Sequence, residues 1–470
     1  MIDCSSQEIS LDKDAFGPDF QWGVSVAAYQ IEGAHDIDGK GLSIWDVFSN
    51  TKGKIKDNQN GNTACDFYHR YKDDIQLIKK LNIPNFRFSI SWSRILPQGT
   101  GIINQKGIDF YKDVINSCLA LGIEPWITLY HWDLPQELEK LGGWTNREVI
   151  GWFQEFVSIC ALNFGDRVKH WMVMNEPVVF TGAGYFLGIH APGKRGMKNF
   201  LPAIHHTTLA IAAGGRLLRE LLPKANIGTT FSCSYIQPYR NLKRDQKAAK
   251  RVDALLNRLY IEPLLGLGYP EKELPVLKGI QKIMKPEDAQ NMVFDFDFIG
   301  IQNYTREIIK NSYLMPYIKA ALVSAPERKV PITEMKWEVY PESIYEVIKQ
   351  FNQYPQIRKL LITENGAAFK DQMTDGEIND KQRISYIKEN LKQVLRAKQE
   401  GFNVEGYFIW TLTDNFEWAE GYHPRFGLIH VDFETQKRTL KQSAYWYADF
   451  LKGKSNKSIE SNNALKEATT

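Results

Sequence analysis

A single α/β domain, a (β/α)8 TIM barrel with long βα loops, is the fold this 470-residue chain predicts, and three observations lead to it. Short apolar, strand-like runs alternate with amphipathic helical segments through most of the length. Eight such runs can be counted, at 22–27, 85–90, 125–129, 168–174, 227–232, 296–302, 360–363 and 407–411. Polar and charged residues collect just past the ends of these runs, where the loops of a parallel barrel converge on one face.

In chain order, the run W-G-V-S-V-A at 22–27 is the first strand. Segment 66–81 places Phe67, Tyr71, Ile75 and Ile78 at helical spacing ahead of N-F-R-F-S-I at 85–90. The third run, 125–129, leads into H-W-D-L-P. Segment 147–164 then repeats the helical spacing with Val149, Phe153, Phe156 and Cys160, before the fourth run at 168–174. The remaining four runs complete the set. An open doubly wound sheet is the architectural alternative, but the phosphate loop such sheets often carry is missing: after Gly182-Ala183-Gly184 the third glycine position holds Leu187, and no G-x-x-x-x-G-K-[ST] occurs. The expected partition is an N-terminal extension over 1–15, the catalytic barrel over 16–452 and a polar, flexible tail over 453–470.

Composition narrows the function. The 58 Lys and Arg against 55 Asp and Glu are interspersed and leave a net charge of only +3, which argues against a nucleic-acid or anionic-membrane binder. No apolar run reaches membrane-spanning length, and the first residues carry no secretory signal pattern. The five cysteines (Cys4, Cys65, Cys118, Cys160, Cys233) are scattered with no C-x-x-C, a reduced-compartment pattern that suggests a cytoplasmic protein, with Cys118 and Cys160 as buried thiols. His205 and His206 fall in a helical segment without metal-ligand spacing, so they read as structural, and neither a metal nor a cofactor is expected. Trp22, Trp45 and Trp152 read as packing residues. Sequons occur at Asn303 and Asn456, and a glycan on the first would block the site described next. Monomer or homodimer is left open.

Two glutamates carry the functional reading: Glu176 in W-M-V-M-N-E-P and Glu364 in L-L-I-T-E-N-G, each at the polar end of an apolar run. Singly, either reads as a surface or salt-bridged carboxylate, and Arg87 as an ion-pair arginine. Jointly they sit at strand ends with Gln30, Arg87, His131, Trp132, Asn175, Tyr304, Trp410, Glu417 and Trp418. That inventory of amides, carboxyls, imidazole and indoles suits the hydroxyls and flat apolar faces of sugars. A carboxyl pair is what glycoside hydrolysis requires.

The ordered motifs F-x-W-G-V-S-V-A-A-Y-Q-I-E-G, R-F-S-I-S-W-S-R, L-Y-H-W-D-L-P, N-E-P, I-T-E-N-G and D-N-F-E-W-A-E-G-Y-x-x-R-F-G-L run from about Phe16 to Trp446. In this set the chain resembles the family 1 glycoside hydrolases, the β-glucosidases and their relatives. The resemblance implies a retaining β-glycosidase acting on terminal β-D-glucosyl residues of small β-glycosides or short β-linked oligosaccharides. It implies Glu176 as acid/base and Glu364 as nucleophile, with Arg87 and Tyr304 supporting the nucleophile. It further implies that Gln30, His131, Trp132, Asn175, Trp410, Glu417, Trp418 and Phe426 hold substrate, with Asn175 near the 2-hydroxyl. Aglycone preference is expected to depend on loops near Val179, Phe180, Tyr185 and Gln237. One stretch departs from the family pattern: G-[IVL]-N-Y-Y is replaced by Gly300-Ile301-Gln302-Asn303-Tyr304, so Gln302 stands where asparagine is usual. Three alternatives fit less well. A sugar-binding pseudoenzyme would lack a catalytic glutamate, and a myrosinase-type thioglucosidase would carry Gln in place of Glu176. A 6-phospho-β-glycosidase would place a Ser, Lys and Tyr set where Glu417 and Trp418 stand.

Overall fold

The computed structural model describes residues 11–453. Cys4, nearly all of the polar tail and the sequon at Asn456 therefore lie outside the described residues. Eight parallel strands close into a barrel: β1 Gln21–Ser25, β2 Asn85–Ser89, β3 Glu124–Tyr130, β4 His170–Asn175, β5 Asn226–Ser232, β6 Phe298–Gln302, β7 Leu360–Asn365 and β8 Val404–Trp410. Strands adjacent in this order are neighbours in the sheet, and β8 closes on β1 with Gln21 to Ser25 paired against Gly406 to Trp410. The closed order excludes the doubly wound alternative.

Each of the eight sequence runs overlaps one barrel strand, with offsets at the ends. The sixth run is predicted from 296, but β6 begins at Phe298. Asp297 is instead turned to accept the Ile227 backbone N–H at 2.8 Å, tying the approach of β6 to the start of β5. The helices Phe67–Lys80 and Val149–Phe164 follow the spacing read from the sequence, and Phe67, Ile75, Ile78, Val149, Phe153, Phe156 and Cys160 are all buried on the barrel side.

Inside the barrel, Trp126, Met172, Phe298, Leu361 and Phe408 form an apolar plug. Size alternation makes it fit, since a Cβ on Gly23 would lie 2.3 Å from the Phe408 ring. Polar side chains occupy the strand C-terminal ends above this plug. The loops after β5 and β6 add a three-stranded sheet of Tyr235–Pro238, Arg306–Asn311 and Ala320–Leu322 on that face. Cys65, Cys118, Cys160 and Cys233 are buried and unpaired. No helix among the described residues is long and apolar enough to cross a membrane.

Candidate active site

Both glutamates leave their strands through a local irregularity. The register of β4 against β5 shifts between Met172 and Asn175, and that of β7 against β6 between Ile362 and Glu364. Such shifts re-aim the side chains that follow them. Glu176 then adopts a left-handed backbone, φ 45° and ψ 61°, before the short helix Pro177–Thr181. Pro177 suits the first position of that helix and keeps Glu176 out of the right-handed helical region, while the positive φ of Glu176 is backbone strain held by the surrounding fold. Glu364 is held from the other side by its neighbours. Asn365 accepts from the Tyr407 hydroxyl at 2.5 Å and donates to the Asn303 carbonyl at 2.6 Å. Gly366 passes so near Trp410 that a Cβ would overlap its carbonyl oxygen, which accounts for the glycine of T-E-N-G.

The two carboxyls share one cavity of about 370 Å³, lined also by Gln30, His131, Trp132, Tyr304, Trp410, Glu417, Trp418 and Phe426. Arg87 and Asn175 do not line it but lie buried beneath. Arg87 Nη1 donates to Glu364 Oε1 at 2.5 Å, and the Tyr304 hydroxyl donates to Oε2 at 2.7 Å. Burial pushes the Glu364 pKa up, while the charge and hydrogen bond of Arg87 and the Tyr304 hydroxyl act against it. Glu176 is pushed well above the usual carboxyl range by burial and then by the Glu364 charge, with Ser232 and Arg87 opposing weakly. Of the pair, Glu176 is raised the further, because the Arg87 and Tyr304 contacts that oppose burial fall on Glu364.

The remaining groups have defined hydrogen-bonding capacity. His131 is held neutral, its pKa well below the usual value through burial and the Arg87 charge. Gln30 Nε2 donates to the Phe416 carbonyl at 3.0 Å and to Glu417 Oε2 at 3.3 Å. Burial and then the charge of Glu364 raise Glu417 to about 8. Trp132 donates its indole N–H to the Asn175 carbonyl at 2.9 Å, so only its ring faces the cavity as a contact surface. Its ring lies 4.5 Å from that of Trp418, which in turn packs on Trp45 at 4.6 Å. Trp132 and Trp418 share with Glu176 a positive φ, so strained backbone is present at the cavity wall.

Several placements differ from the sequence reading. Val179 lines the cavity, but Phe180 and Tyr185 are buried away from it, the Tyr185 hydroxyl donating to Glu139 at 2.6 Å, and Gln237 accepts from Arg306 at 2.8 Å in the added sheet. The outer wall is formed instead by Trp337, Met335, Glu307, Ser234, Ile189 and His190. Gln302, not among the site residues expected from the sequence, joins them: its Nε2 donates to Glu364 Oε1 at 2.8 Å, and its replacement of the usual asparagine is the signal for it. Asn303 is buried and donates to the Cys233 carbonyl at 2.8 Å, so its sequon is inaccessible in the folded chain rather than exposed in the cavity. His205 bonds Asp288 at 2.8 Å and His206 the Trp144 carbonyl at 3.1 Å, both away from the cavity. No group of three metal-ligating side chains occurs among the described residues.

Comparison with known proteins agrees with this geometry. The family profile described as Glycosyl hydrolase family 1 matches residues 12–456. Beta-glucosidase A of Thermotoga maritima is 43% identical over 93% of this chain and 98% of its own length. Beta-glucosidase A of Acetivibrio thermocellus is 44% identical over 94% and 99%. A 6-phospho-beta-galactosidase of Clostridium acetobutylicum is 35% identical over 92% and 96%. Among solved structures, the family 1 β-glucosidase of Thermotoga maritima superposes with a TM-score of 0.89 at 42% identity, covering 93% of this chain and 98% of that one. The same enzyme has also been solved in complex with deoxynojirimycin, again with a TM-score of 0.89.

Proposed function

The chain belongs to glycosyl hydrolase family 1, and from that premise we propose that it is a retaining β-glucosidase in which Glu364 is the nucleophile and Glu176 the acid/base. The observation that carries the assignment of roles is the asymmetry of the pair. Glu364 accepts hydrogen bonds from Arg87, Tyr304 and Gln302, whereas Glu176 sits against the Glu364 charge and keeps its proton. In the first step a Glu364 carboxylate oxygen bonds to the anomeric carbon while the bond to the aglycone oxygen breaks, and that oxygen takes the Glu176 proton. In the second step Glu176, now anionic, takes a proton from water as the water oxygen attacks the same carbon. The glycosyl ester bond to Glu364 breaks as the new bond forms, which frees the Glu364 carboxylate and gives a product of the β configuration.

Gln30, His131, Asn175, Glu417 and Trp418 are proposed to hold the sugar hydroxyls, Trp410 to stack beneath the ring, and Trp132 and Phe426 to complete the apolar wall. Substrates are small β-glucosides and short β-linked oligosaccharides. A phosphorylated glycone, as the name of the Clostridium relative suggests for that protein, fits less well: no lysine or arginine lines the cavity among the described residues, while Glu417 and Glu420 do. A panel of nitrophenyl glycosides, cello-oligosaccharides and a 6-phospho-β-glucoside tests this. Turnover should be fastest with β-glucosides. Turnover of the phosphorylated substrate alone, or of none, would overturn the reading.

A further inference from the structure

Gln302 ends β6 at the floor of the site, fully buried, with its own backbone carbonyl accepting the Cys233 N–H at 2.8 Å. Its Nε2 lies 2.8 Å from Glu364 Oε1, 2.7 Å from Asn175 Oδ1 and 3.3 Å from Thr230 Oγ1. A carboxamide nitrogen has two hydrogens, and the two short contacts take them. The Oε1 of Gln302 meets no donor among the described residues. Turning the amide over would nonetheless cost more, since it would set a carbonyl oxygen against a carboxylate and a second amide oxygen.

Asn175 Oδ1 is itself crowded with donors. Besides Gln302 it accepts from Arg87 Nη2 at 2.5 Å and from Thr230 Oγ1 at 2.9 Å. With three donors on the oxygen, the Asn175 nitrogen is forced to the opposite side, where it donates to His131 Nε2 at 3.0 Å. Among the described residues, Gln302 and Arg87 are the two side chains that bond both Glu364 and Asn175. Arg87 supplies charge to this pair, and Gln302 supplies neutral reach.

We infer that Gln302 is a positioning residue that ties the proposed nucleophile to the amide proposed to read the sugar 2-hydroxyl, so that one side chain sets both groups for the same transition state. The inference rests on the roles assigned above. Contacts to the 2-hydroxyl strengthen in the transition state, so an error in the spacing of Glu364 and Asn175 is felt most in substrates that carry that hydroxyl. Asparagine at this position would be shorter by one carbon–carbon bond, about 1.5 Å, and could not keep both short contacts from the same backbone.

The test compares wild type with Gln302→Met, which keeps the length and removes both donors, and Gln302→Asn, which keeps the amide and removes the length. kcat/KM is measured across pH for an aryl β-glucoside and its 2-deoxy analogue, with folding checked by circular dichroism. The preference for the glucoside over the 2-deoxy analogue should fall about fivefold or more in Gln302→Met, in keeping with loss of one hydrogen bond to each group, and by an intermediate amount in Gln302→Asn. The acid limb should move to higher pH in both, because Glu364 loses a donor to its charged form while Arg87, Tyr304, Glu176 and Glu417 still face it. Equal losses for both substrates with the acid limb unmoved would mark a merely structural residue and overturn the inference. Wild-type turnover of the glucoside reports separately on the underlying reading: if it is absent, both fall, and if it is present with an unchanged ratio in the variants, only this inference falls. Should Gln302→Met not fold, Gln302→Asn decides by the same two readouts.

Discussion

The chain buries two clusters of charge near the C-terminal face of the barrel, and they are built on opposite principles. Behind the loop after β8, Lys441 pairs with Asp371 at 2.5 Å and Asp414 at 2.7 Å, Arg425 pairs with Asp414 at 3.2 Å, and Arg383 joins Asp371 at 3.2 Å and also Asp380. Three cations face three carboxylates. In the active site Glu176, Glu364 and Glu417 line one cavity, and Arg87 forms an ion pair with Glu364 and opposes the rise of Glu176 only weakly. Burial works to raise carboxyl pKa values in both places. In the first cluster Lys441 and Arg425 overcome it and hold Asp414 below its ordinary value, whereas in the second Glu176 and Glu417 are left raised. Neutralised charge makes a scaffold. Charge left short of partners makes groups that can exchange protons near neutral pH.

The largest expected effect comes from removing the carboxylate that Arg87 compensates. Glu364→Gln should lower kcat by about 10⁴-fold or more in steady-state assays, with the fold intact by circular dichroism. A folded variant that keeps near-normal turnover would break the comparison at its centre. Glu176→Ala should follow, with a loss of about 10²- to 10⁴-fold for substrates whose leaving group needs a proton, and a smaller loss of glycosylation rate for activated aryl glycosides. Added azide should restore turnover and give a β-glycosyl azide, identifiable by NMR. An α-azide would count against the assignment.

The balanced cluster should respond in stability instead. Lys441→Met leaves Asp371 and Asp414 short of a buried cation and should cost about 3 to 5 kcal/mol in denaturant unfolding. The folded variant should lose far less kcat than Glu364→Gln, and a loss of the same size would mean that the two clusters are one functional unit. The smallest effect sharpens the electrostatic argument. The Glu417 charge adds to the upward push on Glu176, so Glu417→Gln should move the alkaline limb of kcat/KM to lower pH by less than about one unit, together with a higher KM. A limb that moves the other way would contradict the cause given for the raised Glu176.

Much of this is legible in the amino-acid sequence. Carboxylates at the ends of apolar runs stand out because strands rarely end that way by chance, and barrel topology brings all such ends to one face. Less legible was what depends on distant contacts. The register shifts before Glu176 and Glu364 arise from pairing with β5 and β6, which a local run does not report. Which residues of the 179–190 stretch face the cavity is not legible from spacing, because the short helix Pro177–Thr181 runs into a π-helical turn over Gly182–Leu187 that carries Tyr185 away from it. The added sheet over the loops escaped for a similar reason: its segments Tyr235–Pro238 and Ala320–Leu322 are four and three residues long, too short for a period to show. Gln302 was visible only as a departure from the expected asparagine. Its importance lies in reach, which a motif does not measure.

The central claim, two unlike carboxyls acting through a glycosyl ester on Glu364, predicts the configuration of the first product. Hydrolysis of an aryl β-glucoside followed by proton NMR should show β-glucose appearing first, with the α anomer arising only by later mutarotation. α-Glucose as the first-formed product would contradict the account.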